Sequence, residues 1–266
     1  MIEAGIAFLF GLLIGSFLNV CVYRMPRDLS VVRPRSFCPS CEKMIAWYDN
    51  IPLLSYALLG ARCRHCRARI PLRYPLVELA TAAAFALWFA VLGPTLAAAK
   101  YAVFSAILIA LIASDFEERI LPDEFTIGGT VIGLAFAPFV PLQIRWAILL
   151  LPASLNVRWL SLAEAALGAG FASGIIWFVG WLYEKVRHRE GLGLGDVKMI
   201  AMIGAFLGLE PALLTLIAGS LLGSVVGLGY ILVKGKDAST YELPFGSFLG
   251  FAALAVAIFG NIVKLA

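Results

Sequence analysis

Gly193-Leu194-Gly195-Asp196-Val197-Lys198 stands where a basic loop gives way to an apolar run. That position puts Asp196 at or just inside a membrane surface. An ionisable side chain at such a depth is costly, so it reads as functional unless a structural duty accounts for it. The structural alternative is that Asp196 only caps the helix that follows, since Asp is a favoured N-cap. Gly193 and Gly195 carry no side chain and let another backbone come close. A second aspartate, Asp115, also ends an apolar run, and the pair outweighs the capping explanation.

The surrounding chain supports a membrane setting. Of its 266 residues, 61% are hydrophobic and 14% charged, with a mean hydropathy of +0.91. A soluble domain of this length carries far more charge. Apolar runs of about 18 residues or more read as membrane-spanning helices. The expected fold is an all-α polytopic membrane protein with eight such helices, over 4–22, 76–93, 97–114, 125–142, 161–183, 197–209, 211–233 and 245–263. The run at 197–209 is short, and Gly204 and Gly208 loosen it further. The stretch 146–157 holds Pro152 and Asn156 and reads as interfacial or re-entrant. Glu3 stands where a signal peptide would be basic, and no small-residue cleavage site follows, so the first run is expected to stay as a span. Cys21 near its end reads as a small hydrophobe, and Gly11, Gly15 and Ser16 permit close helix packing.

The net charge of +4 is no sign of nucleic-acid affinity, because the placement of the basic residues explains it. With residues 24–75 in the cytoplasm and the spans alternating, the loops near 115–124, 184–196 and 234–244 face the same side. All but Lys100, Arg145, Arg158 and Lys264 of the 21 basic residues then lie on that side, as the positive-inside rule requires. Asp115 and Asp196 fall at the same membrane face.

Several acids near Asp115 compete with it. Asp123 follows Pro122, precedes an apolar run and looks like a helix N-cap. Glu117, Glu118 and Glu124 read as a solvated face. Asp115 itself adjoins the small residues Ala113 and Ser114. Two carboxylates within hydrogen-bonding reach share a proton and titrate as a unit. They can hold a water between them, one taking its proton while the other donates to a peptide carbonyl. The competing interpretation of intramembrane acids is an ion or proton pathway. Such acids more often lie near the bilayer midplane, and these lie at the ends of spans.

Residues 24–75 form the long polar segment, with ten Lys or Arg against three Asp or Glu. Cys38-Pro-Ser-Cys41 and Cys63-Arg-His-Cys66 lie within it, 21 residues apart. That spacing is close to a four-thiolate structural zinc site, which would order a segment too small to bury a core of its own. Two disulfides are the alternative, and a cytoplasmic location argues against them. His65 reads as a solvated neighbour of the arginines around it, and His188 as solvated in a basic loop. The arginines after the second Cys pair suit anionic lipid head groups. The domain organisation expected is a first helix at 1–23, a cysteine module at 24–75 and a membrane domain at 76–266.

These motifs, taken in order, resemble the type IV prepilin peptidases, aspartic proteases of the bacterial inner membrane. Gly15-Ser16-Phe17-Leu18-Asn19-Val20 and Tyr23-Arg24-Met25-Pro26 look like the family's N-terminal signature, as do the two Cys pairs and Trp47-Tyr48-Asp49-Asn50-Ile51-Pro52 between them. Arg73-Tyr74-Pro75-Leu76-Val77-Glu78 continues it. The Asp115 segment through Leu121-Pro122-Asp123 is similar to the first catalytic region, and Gly193-Leu194-Gly195-Asp196 to the second. Leu243-Pro244-Phe245-Gly246 resembles a further family segment. The resemblance implies that Asp115 and Asp196 are the catalytic dyad, supported by Gly193, Gly195, Lys198, Pro122 and Asp123. It implies cleavage of leader peptides from prepilins and pseudopilins on the cytoplasmic side, after a glycine. It also implies N-methylation of the new terminus with S-adenosylmethionine, an activity the family associates with the Cys-bearing region. No Gly-rich strand-turn-helix for that cofactor is present. Glu78, at a membrane boundary, is the one cofactor-binding candidate, with pairing to Arg73 its structural alternative.

Overall fold

The computed structural model describes residues 1–188, 193–234 and 244–262. Residues 189–192 of the loop expected at 184–196 and 235–243 of the one expected at 234–244 lie outside these residues, Leu243 among them, as does Lys264. In chain order the helices are α1 (Ile2–Arg24), α2 (Leu54–Leu58), α3 (Arg73–Leu92), α4 (Leu96–Glu118), α5 (Asp123–Phe136), α6 (Ala147–Leu150), α7 (Val157–Arg187), α8 (Leu194–Leu207), α9 (Leu209–Lys234) and α10 (Phe245–Ile262). Among the described residues the only β pairings are isolated bridges, Phe37 with Met44 and Arg62 with Arg69. The architecture is all-α.

Among the described residues, five helices are long and apolar enough to cross a membrane: Ile2–Arg27, Arg73–Leu92, Leu96–Glu118, Val157–Arg187 and Leu209–Tyr230. The other three expected spans correspond to α5, α8 and α10. α5 and α8 have 14 residues each, which at 1.5 Å per residue reach about 21 Å, short of a hydrocarbon core of about 30 Å. α5 starts at Asp123, and the chain leaves it after Phe136, six residues before the expected end at 142. α8 is closed by Gly208, whose φ of +90° suits glycine.

The chain divides into two compact units, Met1–Ser114 and Asp115–Ala266. In the first, α1 packs against α3. A Cβ on Gly11 would lie 2.6 Å from the Ala82 Cα, and one on Gly15 would lie 2.7 Å from the Glu78 Cα. The two backbones therefore touch along this glycine stripe. Beside it, the Asn19 amide donates to the Tyr74 carbonyl at 2.9 Å. Trp88 on α3 donates to the Ser105 hydroxyl on α4 at 2.8 Å and stacks on Tyr101. Lys100, expected among the charges facing the far side of the membrane, is instead fully buried, with its ammonium 5.5 Å from the Tyr101 ring centroid.

The second unit is built around α8. Met199, Ile200 and all of 202–207 are buried, and α5, α7, α9 and α10 pack against it. A helix apolar all round is stable only when enclosed in this way. α7 crosses α8 at Gly168 and Gly204, where a Cβ on Gly204 would run into the Gly168 backbone and lie 2.7 Å from the Ala169 nitrogen. Backbone cannot rotate aside as a side-chain tip can, so Gly204→Ala must push the two helices apart. The expected cost is about 1–3 kcal/mol, read as a lower midpoint in thermal unfolding of the purified protein in detergent. An unchanged midpoint would mean that the crossing is looser than the structure shows.

The stretch 146–157, expected at an interface, contains α6 and is tethered by α7. Glu164, buried at 2% exposure, accepts the backbone N–H groups of Arg145, Trp146 and Ala147 at 3.2, 3.0 and 2.9 Å. One turn earlier, the Ser161 hydroxyl accepts from the Leu142 N–H at 3.0 Å and donates to the Ala137 carbonyl at 2.6 Å. Buried backbone groups of the connection thereby find partners. His188, expected to be solvated, is exposed and ends α7 in the left-handed conformation.

Candidate active site and metal centre

Asp115 lies in the last turn of α4 and is buried at 6% exposure. Its Oδ2 accepts two hydrogen bonds from Ser247 in the first turn of α10, from the backbone N–H at 2.7 Å and the hydroxyl at 2.6 Å. Asp196 lies in the first turn of α8, half-buried. The helix is capped at Gly193 with no side-chain bond, so capping is not what occupies Asp196. It lies outside the five long apolar helices. Burial, and after it the charge of Asp115, pushes its carboxyl up to about 7. The structure thus brings the two acids close enough to act on each other.

Leu121, in the connection between α4 and α5, explains two of the glycines. A Cβ on Gly195 would lie 3.2 Å from the Leu121 Cβ, and one on Gly246 would lie 2.9 Å from its Cδ1 and 3.4 Å from the Asp115 Cγ. At Gly195 the close neighbour is therefore a side chain, not the second backbone expected from sequence. A side chain on Gly193 would sit 3.6 Å from Asp196 Oδ2. Pro122 is the N-cap of α5, leaving Asp123 as its first residue. The expected cap at Asp123 is replaced by an ion pair: Lys198 Nζ donates to both Asp123 oxygens, at 2.7 and 2.9 Å. The pair ties the start of α8 to the start of α5. Ser247 went unnoticed in the sequence. A hydroxyl residue in the first turn of an apolar helix, just after Pro244-Phe245-Gly246, was the available signal.

The four cysteines at 38, 41, 63 and 66 converge, their sulfurs all within 4.8 Å of one another. All are free thiols. The Cys38 and Cys66 sulfurs are 3.8 Å apart, nearly twice a disulfide length of about 2.05 Å. A tetrahedron with metal–sulfur bonds of about 2.3 Å has edges of about 3.8 Å, so the cluster fits a four-thiolate metal. The same turn is used twice. The Glu42 N–H donates to the Cys38 carbonyl at 2.8 Å, and the Cys38 N–H to the Lys43 carbonyl at 3.0 Å. Arg67, Cys63 and Ala68 repeat these bonds at 3.0 and 2.8 Å. Glu42 and Arg67 both take positive φ, 57° and 62°. The backbone N–H groups of Cys66 and His65 lower the Cys63 thiol to about 7, while Cys41, despite its bond to the Lys43 backbone, is raised to about 11 by burial and the neighbouring thiols. His65 is exposed and no part of the cluster. Arg64 forks onto Asp49, both contacts at 2.6 Å, and fastens the turn Trp47–Asn50 to the second Cys pair.

Glu78 is buried and engaged within its own unit. Its Oε2 accepts the Leu53 N–H at 2.8 Å, and its carboxylate also bonds the Ser16 hydroxyl. Ser16 in turn lines a cavity of about 370 Å³ together with Phe17, Arg24, Arg35 and Trp47. The volume lies in the range of small-molecule sites.

Residues 9–92 match the model of the bacterial peptidase A24 N-terminal domain, and residues 102–228 that of the type IV leader peptidase family. Asp115 and Asp196 fall inside the second match. Similar proteins include one from Myxococcus xanthus, 40% identical over 88% of this chain and 65% of the relative's own length. A relative from Aeromonas hydrophila is 32% identical over 97% of this chain and 91% of its own. Another from Pseudomonas aeruginosa is 32% identical over 95% and 89%. Each is described as a prepilin leader peptidase/N-methyltransferase. No solved structure matches the chain.

Proposed function

Because the chain belongs to the type IV leader peptidase family, we propose that it is a membrane endopeptidase that removes the leader of prepilins or pseudopilins and then methylates the new N-terminus. The observation that supports the peptidase reading is that Asp115 and Asp196, at the ends of two apolar helices, border one residue: Leu121 packs against Gly195, next to Asp196, and against Gly246, where a Cβ would also lie 3.4 Å from the Asp115 Cγ. Asp115 and Asp196 are the catalytic pair in this reading. Gly193 and Gly195 keep space for Asp196 and Leu121, and the Lys198–Asp123 pair holds α8 in register.

The chemistry is hydrolysis by a shared-proton dyad. A water held between the carboxyls gives its proton to the ionised one and attacks the scissile carbonyl, whose oxygen takes a hydrogen bond from the protonated one. The tetrahedral intermediate collapses as the amine leaves with a proton from the dyad. A substrate whose apolar helix lies in the bilayer presents the scissile peptide near the surface where the acids sit. The peptide must leave its helix first, since helical carbonyls are already hydrogen-bonded, and a glycine before the cut eases that step.

The membrane arrangement belongs to the same proposal. The bilayer is the bacterial inner membrane, the runs at 125–142, 197–209 and 245–263 complete eight spans with the five longer helices, Asp196 stands at the surface just before its run, and the dyad and cysteine module face the cytoplasm. Within the proposed organisation of a first helix, a module at 24–75 and a peptidase domain at 76–266, Cys38, Cys41, Cys63 and Cys66 hold Zn²⁺ as a closed structural site. S-adenosylmethionine supplies an activated methyl group when bound. The cavity beside Ser16, lined by Phe17, Arg24, Arg35 and Trp47, would receive it, with Glu78 holding Ser16.

The pH dependence follows from Asp196. Its pKa is raised, so the protonated form is the one the fold favours. Its stabilising effect is complete below the ordinary carboxylate range and is lost as pH rises through about 7. Leader removal from a purified prepilin is therefore expected to fall about tenfold per pH unit above about 7 as the shared proton is lost. A rate that stays level to pH 9 would remove the shared-proton mechanism.

A further inference from the structure

We propose that Ser247 is a positioning residue for the dyad: its two donors fix Asp115 as the water-activating base and leave the shared proton to Asp196. This inference rests on the peptidase reading and concerns how its two acids divide their roles.

The geometry is specific. Ser247 is the third residue of α10, whose first-turn N–H groups have no partner within the helix. Such groups are ordinarily capped by a side chain just before the helix. Here the backbone N–H is instead taken by Asp115, 132 positions away in sequence, at 2.7 Å, and the hydroxyl adds a second bond to the same oxygen at 2.6 Å. The contact to the Pro244 carbonyl is longer, 3.2 Å. A backbone N–H can only donate, so Oδ2 of Asp115 is held as an acceptor and is not the oxygen that carries a proton. In this proposal the other oxygen is the one that takes the proton from water. The N-terminus of α10 adds its positive end to the same atom. Among the described residues no such pair of donors is found on Asp196: α8 is capped at Gly193 without a side-chain bond, and Asp196 responds to burial and to the Asp115 charge. Of the charged groups nearby on other elements, Asp123 is engaged by Lys198.

Gly246 completes the device. A side chain there would meet Leu121 at 2.9 Å and the Asp115 Cγ at 3.4 Å. The approach of Ser247 to Asp115 thus requires the glycine before it. Ser247 is fully buried and lies beyond the part of the chain that matches the peptidase model.

The test compares wild type, Ser247→Ala, Ser247→Thr and Ser247→Cys as full-length protein in liposomes with a purified prepilin. Ser247→Ala keeps the backbone donor and loses the hydroxyl. Its kcat is expected to fall roughly 10- to 100-fold, the range for losing a hydrogen bond to a charged group, with KM within about twofold of wild type. The acidic limb of its pH–rate profile, set by ionisation of the dyad, moves up by roughly one unit. Ser247→Thr keeps the hydroxyl and recovers most of the rate. Ser247→Cys, a weaker donor of similar size, falls between, and it carries the test if the alanine variant does not fold. Wild-type kcat and profile in Ser247→Ala overturn the inference. So does a slower Ser247→Ala whose pH profile is unmoved, since a purely structural loss has that result. A threonine variant as slow as alanine also overturns it. A wild type that removes no leader from any prepilin overturns the functional reading, and this inference falls with it.

Discussion

Asp115→Asn and Asp196→Asn are each expected to stop leader removal, slowing it by at least about 10⁴-fold, and the double variant should be no slower than either alone. The reason lies in the division of labour. Asparagine keeps the size of the carboxyl but can neither take a proton from water nor pass one on. In Asp115→Asn the amide oxygen can still accept from Ser247, so the fold around α10 persists while the base is gone. In Asp196→Asn a half-buried group that is strained when charged becomes permanently neutral. That variant should fold at least as well as wild type, and its thermal midpoint above pH 7 should rise. Loss of activity together with gain of stability separates a catalytic role from a structural one. Because the two acids act on one water, removing the first leaves the second nothing to cooperate with. Losses that multiply in the double variant would mean that they serve separate steps. Asp123→Asn is the informative control. It breaks the exposed pair with Lys198, and such pairs contribute about 1 kcal/mol or less, so it should slow cleavage far less than either dyad variant.

The second large effect is expected from the metal. Among residues 24–75 only Arg24, Cys38 and Ser55 are buried, too little to order fifty residues. The segment depends on its four thiolates. Zinc sites of this type contribute about 10–16 kcal/mol to small domains near neutral pH. Removing the metal with a strong chelator, or replacing Cys63 by Ser, should therefore unfold the segment rather than loosen it. Limited proteolysis would then cut between residues 30 and 70, and metal analysis would show loss of one zinc per chain. Asp115 and Asp196 belong to the other compact unit, so cleavage of the leader should survive while methylation of the product is lost. A protease-resistant segment after complete metal removal would show that the thiols serve some other purpose.

How much of this was legible in the sequence varies with the physics involved. The long apolar helices announced themselves because a bilayer demands length and uniform apolarity. The cysteine cluster was equally plain, because C-x2-C spacing constrains four sulfurs almost independently of the rest of the fold. Length says less where helices are covered by protein. α8 is enclosed by four neighbours, so its apolar run reflects burial as well as a bilayer. The site showed the same split. Asp196 stood out because a basic loop meets an apolar run there, and Asp115 because it ends an apolar run. Ser247 did not, since a serine near a helix start is common and its partner is 132 positions away. Glu164 was likewise unreadable: its task is to satisfy three N–H groups of a distant connection. Asp123 was misjudged as a cap because local pattern cannot foresee Lys198 arriving from another helix.

The most direct measurement of the central claim is the mass of a purified prepilin after incubation in liposomes with this protein and S-adenosylmethionine. Wild type should convert the precursor to a species lighter by its leader and heavier by one methyl group, and neither Asp115→Asn nor Asp196→Asn should remove the leader. Leader removal by either variant, or an unchanged precursor with folded wild type, would contradict the account.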